Sequence, residues 1–204
     1  MLNALERVDG FPGVLSRLES LWRGVEAPIR DALQPGLASH RIDELLGDAG
    51  FESSLPPEIR SWFEWHNGVA YGTPPHEGWV LGARYFNSLE MSLAAYADQR
   101  AFAQESFERG FAQSVDEDYD HRWLPLFGTA KDHVFVACDG TGAVGCYNPE
   151  ERTPPDPSLT FTDLLDFWVE GASAGLYTWD PATQSWQVDS GRVDESPKFR
   201  NLVF

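Results

Sequence analysis

A helix whose own residues mark both of its ends is the feature that most constrains the fold of this 204-residue chain. Leu55, Pro56 and Pro57 suit the entry and first turn of a helix, and Asn67-Gly68 offers the left-handed backbone that ends one. Four residues between these signals recur at helical spacing: Ile59, Trp62, Phe63 and His66. The sequence therefore predicts one short helix that turns an aromatic face into a core, and we assign these side chains to packing.

Three further helices are predicted in the first fifty residues. Apolar residues recur at helical spacing over 14–25, a second helical piece lies between the prolines at 28 and 35, and a third follows Ser39. No linker rich in Ser, Gly or Pro separates this region from the rest. We therefore expect 1–50 to be a helical N-terminal extension that packs on an α+β domain over 51–204, as one globular unit.

The rest of the chain predicts a mixture of strands and helices. A strand is expected over 79–86, and a capping box that begins at Asn87 starts a helix through about residue 107. Residues 133–138 and 143–147 form the clearest hairpin, and three prolines make 150–157 an exposed loop. A helix capped at Thr160 and a hairpin around Pro181 follow. The predicted fold is α+β, a mostly antiparallel sheet of about five or six strands with helices packed on it.

The two cysteines, Cys138 and Cys146, lie on opposite arms of that hairpin. A four-residue turn over 139–142 would place Cys138 opposite Ala143 and Cys146 opposite Phe135, on different faces of the sheet. A loop with an odd number of residues would instead place the two cysteines on the same face. We expect buried free thiols and no disulfide, as in a reducing compartment.

Catalytic signatures are missing from the sequence. It has no P-loop, no G-x-S-x-G, no H-E-x-x-H and no paired C-x-x-C, and its five histidines have no ligand spacing. Asp139-Gly140-Thr141-Gly142 joins two strands, so it is interpreted as a turn and not as a phosphate loop. We therefore predict no catalytic, cofactor-binding or metal-binding residues, no cofactor, and a protein that is not an enzyme.

Charge constrains the partner. The formal net charge is −17 and the estimated pI is 4.5, so nucleic acid and anionic membranes are disfavoured by repulsion and a basic protein is favoured. Solubility alone would be a sufficient alternative explanation for this acidity. The first nine residues lack the apolar stretch of a signal peptide, so a cytoplasmic protein is expected, with a monomer favoured.

Two segments are candidate partner-binding surfaces. The first is an acidic loop: Asp116, Glu117, Asp118, Tyr119 and Asp120. It fits a solvated face, a weak cation site or a surface complementary to a basic partner, and the tyrosine favours the last because aromatic residues are common in interfaces. The competing surface is the loop 71–78 and the residue after it, where Tyr71, His76 and Trp79 would anchor a more apolar contact.

Several short motifs occur in a characteristic order over about residues 40–180. They are Leu55-Pro56 before a helix containing Trp62, Asn67-Gly68 after it, Trp123-Leu124-Pro125-Leu126 in a strand, the turn from Asp139 to Gly142, and the helix from Phe161 to Trp168. This order resembles the SUKH superfamily, which includes bacterial toxin-immunity proteins and yeast regulators of cell-wall assembly.

The resemblance implies a non-enzymatic protein that binds and neutralises a cognate bacterial toxin, often a basic nuclease. Thirteen Arg against two Lys suggest a GC-rich bacterial genome and so favour the bacterial branch. An intracellular regulator or scaffold of the cell-wall type is the alternative. An unrecognised hydrolase would need a nucleophile and a base that the sequence does not show.

Overall fold

The computed structural model describes residues 10–128, 133–147, 152–189 and 191. In these ranges the helices are α1 (Gly10–Gly24), α2 (Ile29–Ala32), α3 (Ser39–Asp48), α4 (Pro57–Trp65), α5 (Leu89–Glu108), α6 (Val115–Asp118) and α7 (Phe161–Ser173), with a 3₁₀ turn at Pro75–Glu77. The strands are β1 (Leu33–Pro35), β2 (His66–Val69), β3 (Tyr85–Phe86), β4 (Trp123–Gly128), β5 (His133–Ala137), β6 (Ala143–Tyr147), β7 (Arg152–Thr160), β8 (Tyr177–Asp180) and β9 (Ser185–Val188).

A five-stranded antiparallel sheet organises the molecule. Its strands lie in chain order, β3-β4-β5-β6-β7, and helices pack against it, so the predicted α+β class is confirmed. Two small antiparallel pairs accompany it, β1 with β2 and β8 with β9. The second pair is the hairpin that the sequence predicted around Pro181.

Trp62 on α4 lies at the centre of the main core. Its side chain is fully buried, and its ring centroid lies 4.4 Å from that of Phe86, 5.2 Å from Phe161 and 5.7 Å from Phe127. Ile59 and Phe63 on the same helix are also fully buried. Three of the four residues predicted from helical spacing are therefore core, whereas His66 lies in β2 and is only half-buried.

A second, smaller cluster lies on the other face of the sheet. Side chains alternate across a strand, and on β5 Val134 and Val136 join the main core whereas Phe135 joins the second cluster. Tyr119 and Tyr147 are buried in the same cluster. The chain therefore buries both faces of its central strands.

The first described residues contribute directly to the core. Trp22 on α1 is fully buried, and its indole N–H donates to the carbonyl of Val80 at 2.8 Å. The Leu37 amide donates to the Phe63 carbonyl at 2.9 Å, which satisfies a carbonyl in the last turn of α4. Strand β1, which the sequence did not predict, pairs with β2 beyond that turn.

Asn67-Gly68 does not end the preceding helix, and this prediction was wrong. The helix α4 ends at Trp65, and His66 is already extended. Gly68 has the expected positive φ of 59°, but it lies in β2, where a Cβ atom would stand 2.5 Å from backbone atoms of Asn87. Glycine is therefore needed at position 68 because the backbones of β2 and Asn87 lie too close for a side chain, and a local sequence pattern does not reveal such a contact.

The Asn67 side chain holds the start of α5. Its amide oxygen accepts from the Leu89 amide at 2.8 Å, and its amide nitrogen donates to the Glu90 carboxylate at 2.9 Å. The N-cap of α5 is Ser88, whose hydroxyl accepts from the Met91 amide at 3.2 Å, and not Asn87 as predicted. One of the orphan amides of α5 is thus satisfied by a residue 22 positions earlier.

The strand predicted over 79–86 is mostly a turn. Only Tyr85–Phe86 belongs to the sheet, with a single bridge between Trp79 and Tyr85. The Val80 amide donates to the Arg84 carbonyl at 2.8 Å, and Gly82 has a φ of 59°. A glycine that takes positive φ between two apolar runs closes a turn rather than extending a strand.

The two cysteines share a face of the sheet, contrary to the prediction. The register pairs Val134 with Cys146 and Val136 with Val144, one residue away from the expected pairing. Both thiols are free and belong to the main core. Cys138 and Cys146 still lie about 13 Å apart by this register, since Cys138 is four positions along the chain from Val134 and each position adds about 3.3 Å. The absence of a disulfide is explained by distance and not by parity.

Most of the segment predicted as an exposed proline loop is strand β7. It occupies one edge of the sheet, where one side of the strand has no ladder partner among the described residues. Proline is tolerated at such an edge because no amide is required there. Pairing with β6 is interrupted by two register shifts, between Ala143 and Val144 and between Val144 and Cys146. Residues 150 and 151 of the predicted loop lie outside the described residues.

Candidate protein-binding surface

The acidic segment is a short helix, α6, that folds back on α5. The Ser114 hydroxyl caps it by accepting from the Glu117 amide at 3.2 Å. Arg100 on α5 donates to the Asp116 carboxylate at 2.6 Å, and His121 lies 3.2 Å from the other Asp116 oxygen. Burial by itself would raise the pKa of Asp116. The hydrogen bond from Arg100, the charge of Arg100 and the contact with His121 outweigh burial, so the pKa lies below its ordinary value. Asp116 is therefore an ionised carboxylate with internal partners.

Two of the predicted partner-binding residues are inside the protein. Tyr119 is fully buried, and its hydroxyl donates to the Trp123 carbonyl at 3.1 Å. Burial raises the pKa of this phenol well above its ordinary value, so it stays neutral. Asp118 is also buried. The assignment of Tyr119 as an interface aromatic, and of Asp118 as a contact residue, was wrong because neither can reach a partner.

Asp120 is committed to a neighbour in the chain. The Arg122 guanidinium donates two hydrogen bonds to its carboxylate, at 2.9 and 2.6 Å, and the Arg122 amide donates a third at 2.9 Å; these bonds lower the pKa of the Asp120 carboxyl. With Asp118 buried, the alternate carboxylates 116, 118 and 120 do not point to one common site. Of the five residues predicted in this segment, Asp116 and Glu117 remain exposed. Across the described ranges, no group of three or more His, Cys, Asp or Glu side chains could hold a metal ion.

The loop 71–78 presents one aromatic side chain. Tyr71 is 92% exposed, whereas Trp79 is half-buried. The loop is held from inside by Tyr85, whose hydroxyl donates to the Thr73 carbonyl at 3.2 Å. His76 lies 3.8 Å from the Glu77 carboxylate. The structure therefore places Tyr71 at the surface but brings no second exposed ring beside it within the loop.

The C-terminal end of α5 exposes three phenylalanines that the sequence analysis did not assign to a site. Phe102 is 50% exposed, Phe107 42% and Phe111 79%. Helical repeat puts Phe102 on the face opposite to the buried Leu93, and this signal was available in the sequence. Phe107 continues the buried stripe of α5 one turn after Ala103, yet it is partly exposed, and helical spacing alone does not predict that exposure.

The turn 139–142 has the geometry predicted for a turn. The Asp139 carboxylate accepts from the amide and the hydroxyl of Thr141, at 3.0 and 2.6 Å, and these bonds lower the pKa of Asp139. Gly140 and Gly142 both have positive φ. A Cβ atom at Gly142 would lie 3.7 Å from that of Pro56, so this turn packs on the entry to α4.

No helix among the described residues is long and apolar enough to cross a bilayer. No protein-family model matches the chain, and no curated protein matches it.

Proposed function

We propose that this chain is a non-enzymatic protein-binding module of the SUKH type, an immunity protein that binds and neutralises a basic toxin of the nuclease class. The proposal is supported by the order of the secondary-structure elements in which the motif residues lie. Leu55-Pro56 precedes α4, Trp123 and Pro125 lie in β4, and the turn 139–142 joins β5 to β6. Asn67-Gly68, which the same motif order expects at the end of α4, lies instead in β2.

The observation that carries the proposal is the coexistence of exposed aromatic side chains and exposed carboxylates on a chain with a net charge of −17. Nucleases are basic around their nucleic-acid site, and an acidic inhibitor meets such a surface with fast, salt-sensitive association. Aromatic rings supply the contact area that charge alone does not, because the cores of protein interfaces are enriched in Tyr, Trp and Phe.

The chemistry of the one buried thiol with a resolved pKa argues against a cysteine nucleophile. Burial raises the pKa of Cys138 to about 12, so its thiolate is scarce at neutral pH. A hydrolase would need a different nucleophile with a base in reach. A regulator or scaffold of the cell-wall type remains the alternative, because the same fold and surface would also serve a non-toxin partner.

The test is neutralisation of the protein encoded beside this chain in its native genome. Cells that express that neighbour alone should stop growing, and co-expression of this chain should restore growth. The purified chain should inhibit the neighbour's nuclease activity at a one-to-one ratio. A toxic neighbour that stays fully active despite an excess of this chain would refute the immunity role, and a neighbour that is not toxic but binds stably would favour the regulator.

A further inference from the structure

We propose that residues 110–121 form a strap that opens and closes independently of the main core, and that Arg100 holds it closed over the second cluster. The strap runs from the end of α5 through α6 to the start of β4. This inference goes beyond the proposed function, because it concerns a conformational change within the chain and does not depend on which partner the chain binds.

Few residues of the strap are buried. Asp118 and Tyr119 are buried, whereas the residues on either side of them in the strap are half-buried or exposed. The helix α6 is a single turn of four residues. Such a turn does not stabilise itself, because fixing its backbone costs more free energy than its few hydrogen bonds contribute. Segments of this kind open locally at a lower free energy than the strands of a core.

Tyr119 attaches the strap to the second cluster. Its ring centroid lies 5.2 Å from that of Tyr147, 5.5 Å from Trp123 and 6.4 Å from Phe135. The second cluster lies on the face of the sheet opposite to the main core. Trp62 and its aromatic neighbours therefore keep their contacts when the Tyr119 ring leaves. Opening of the strap uncovers an aromatic face of the sheet and does not unfold the main core.

Arg100 joins α5 to both ends of α6. Its guanidinium donates to the Asp116 carboxylate at 2.6 Å and also to the Tyr119 carbonyl. The strap has four acidic residues within positions 116–120, and like charges so close together repel one another. When the hydrogen bonds of Arg100 break, an attraction is lost and this repulsion remains. Arg100 therefore determines how often the strap opens.

Native-state hydrogen exchange of the full chain, measured for single amides at low urea, tests the strap. The Tyr119 amide donates to the Val115 carbonyl at 3.1 Å, within the strap, and the Val136 amide belongs to the central strand β5. After correction for intrinsic rates, the Tyr119 amide should exchange at least about tenfold faster. Its opening free energy should depend on urea less than about half as steeply, because opening the strap exposes less surface than global unfolding.

Two variants separate local opening from global unfolding. Arg100→Gln should speed exchange at Tyr119 and at Val136 by the same factor, about fivefold or more, because both kinds of opening break the contacts of Arg100. Ile59→Val is the matched control, since Ile59 is fully buried in the main core. It should speed exchange at Val136 about threefold and leave exchange at Tyr119 unchanged, because the main core stays folded when the strap opens. Unchanged circular dichroism spectra would show that both variants are folded.

Each result decides the proposal. Equal exchange rates and equal urea dependence at Tyr119 and Val136 in the wild type would show that the strap opens only when the whole molecule unfolds. The same conclusion would follow if Ile59→Val sped exchange at both amides equally, and the proposal would be overturned. Exchange at Tyr119 that Arg100→Gln leaves unchanged would show that another contact holds the strap closed.

Discussion

Asn67 and Gly68 set how closely the end of β2 approaches the start of α5. The Asn67 amide group bonds to Leu89 and Glu90, and Gly68 lets the backbone of Asn87 come within contact distance. The sequence predicted the positive φ of Gly68, because that property is local. It could not predict what the motif contacts, because the partner residues lie about twenty positions away and are brought there only by the complete fold.

The first prediction isolates that close contact. Gly68→Ala should destabilise the protein by about 1–2 kcal/mol for the left-handed conformation plus about 1–3 kcal/mol for the clash with Asn87. Gly72→Ala is the matched control, since Gly72 also has positive φ but a Cβ atom there would have nothing within 4 Å. Urea unfolding should give the larger loss at Gly68. Equal losses at the two positions would show that conformation, and not contact, determines this glycine.

The second prediction concerns the Cys138 thiol. Its buried position raises its pKa to about 12, so few molecules carry the thiolate at pH 8. Cys146 is also buried. A disulfide-exchange reagent should therefore label neither thiol in the native protein and both in urea, and reductant should leave the melting temperature unchanged. Rapid labelling of the native chain would show that the core around β5 and β6 opens.

At the scale of elements, the sequence pattern identified which segments are helices or strands better than it identified which strands pair. The helices α1, α3, α4, α5 and α7 and the hairpin β8–β9 follow from periodicity and caps. Strand β1 was not predicted because three residues are too few to show a periodicity. The edge strand β7 was not predicted because its prolines are typical of a loop, although an edge strand also tolerates them. The acidic segment was predicted as a loop, although Ser114 caps a turn of helix there. Its contact with Arg100 required knowledge of how α6 folds back on α5.

The third prediction compares two tryptophans. Trp62→Ala should cost about 3–5 kcal/mol, because four aromatic rings surround a fully buried side chain. Trp123 stacks on Phe135 at 4.4 Å but is only half-buried, so its loss should cost about 1–2 kcal/mol. Chemical denaturation measures both. A larger loss at Trp123 would place the structural centre in the second cluster.

The fourth prediction concerns acid and the Arg122–Asp120 pair. The folded pKa of Asp120 is lowered by Arg122, so the pair stabilises the protein above the unfolded pKa of about 3.9. That contribution is lost as the pH falls through the folded pKa. Arg122→Gln should therefore lower stability at pH 6, and the difference from the wild type should shrink below about pH 4. A difference that stays constant down to pH 2 would contradict the assigned ion pair.

The whole molecule carries one dominant electrostatic feature, its net charge of −17. Composition alone predicted this and the preference for a basic partner. It could not show which side chains are at the surface, because Asp118 and Tyr119 are buried whereas Phe102 and Phe111 are exposed. Exposure depends on which side chains the other elements cover, and that is a property of the assembled fold.

The fifth prediction follows because the net negative charge opposes folding, through repulsion within the chain, but favours binding to a basic partner. Raising salt from about 0.05 to 0.5 M shortens the Debye length from about 14 to 4 Å. Screening should weaken the repulsion among carboxylates within the chain, so the melting temperature should rise. The same screening should slow association with the basic partner by at least about tenfold, with a smaller effect on dissociation. Calorimetry and stopped-flow measurements on one preparation test both. A melting temperature that falls with salt would mean that ion pairs such as Arg100–Asp116 outweigh the repulsion. An association rate that does not depend on salt would show that charge has no part in recognition of the partner.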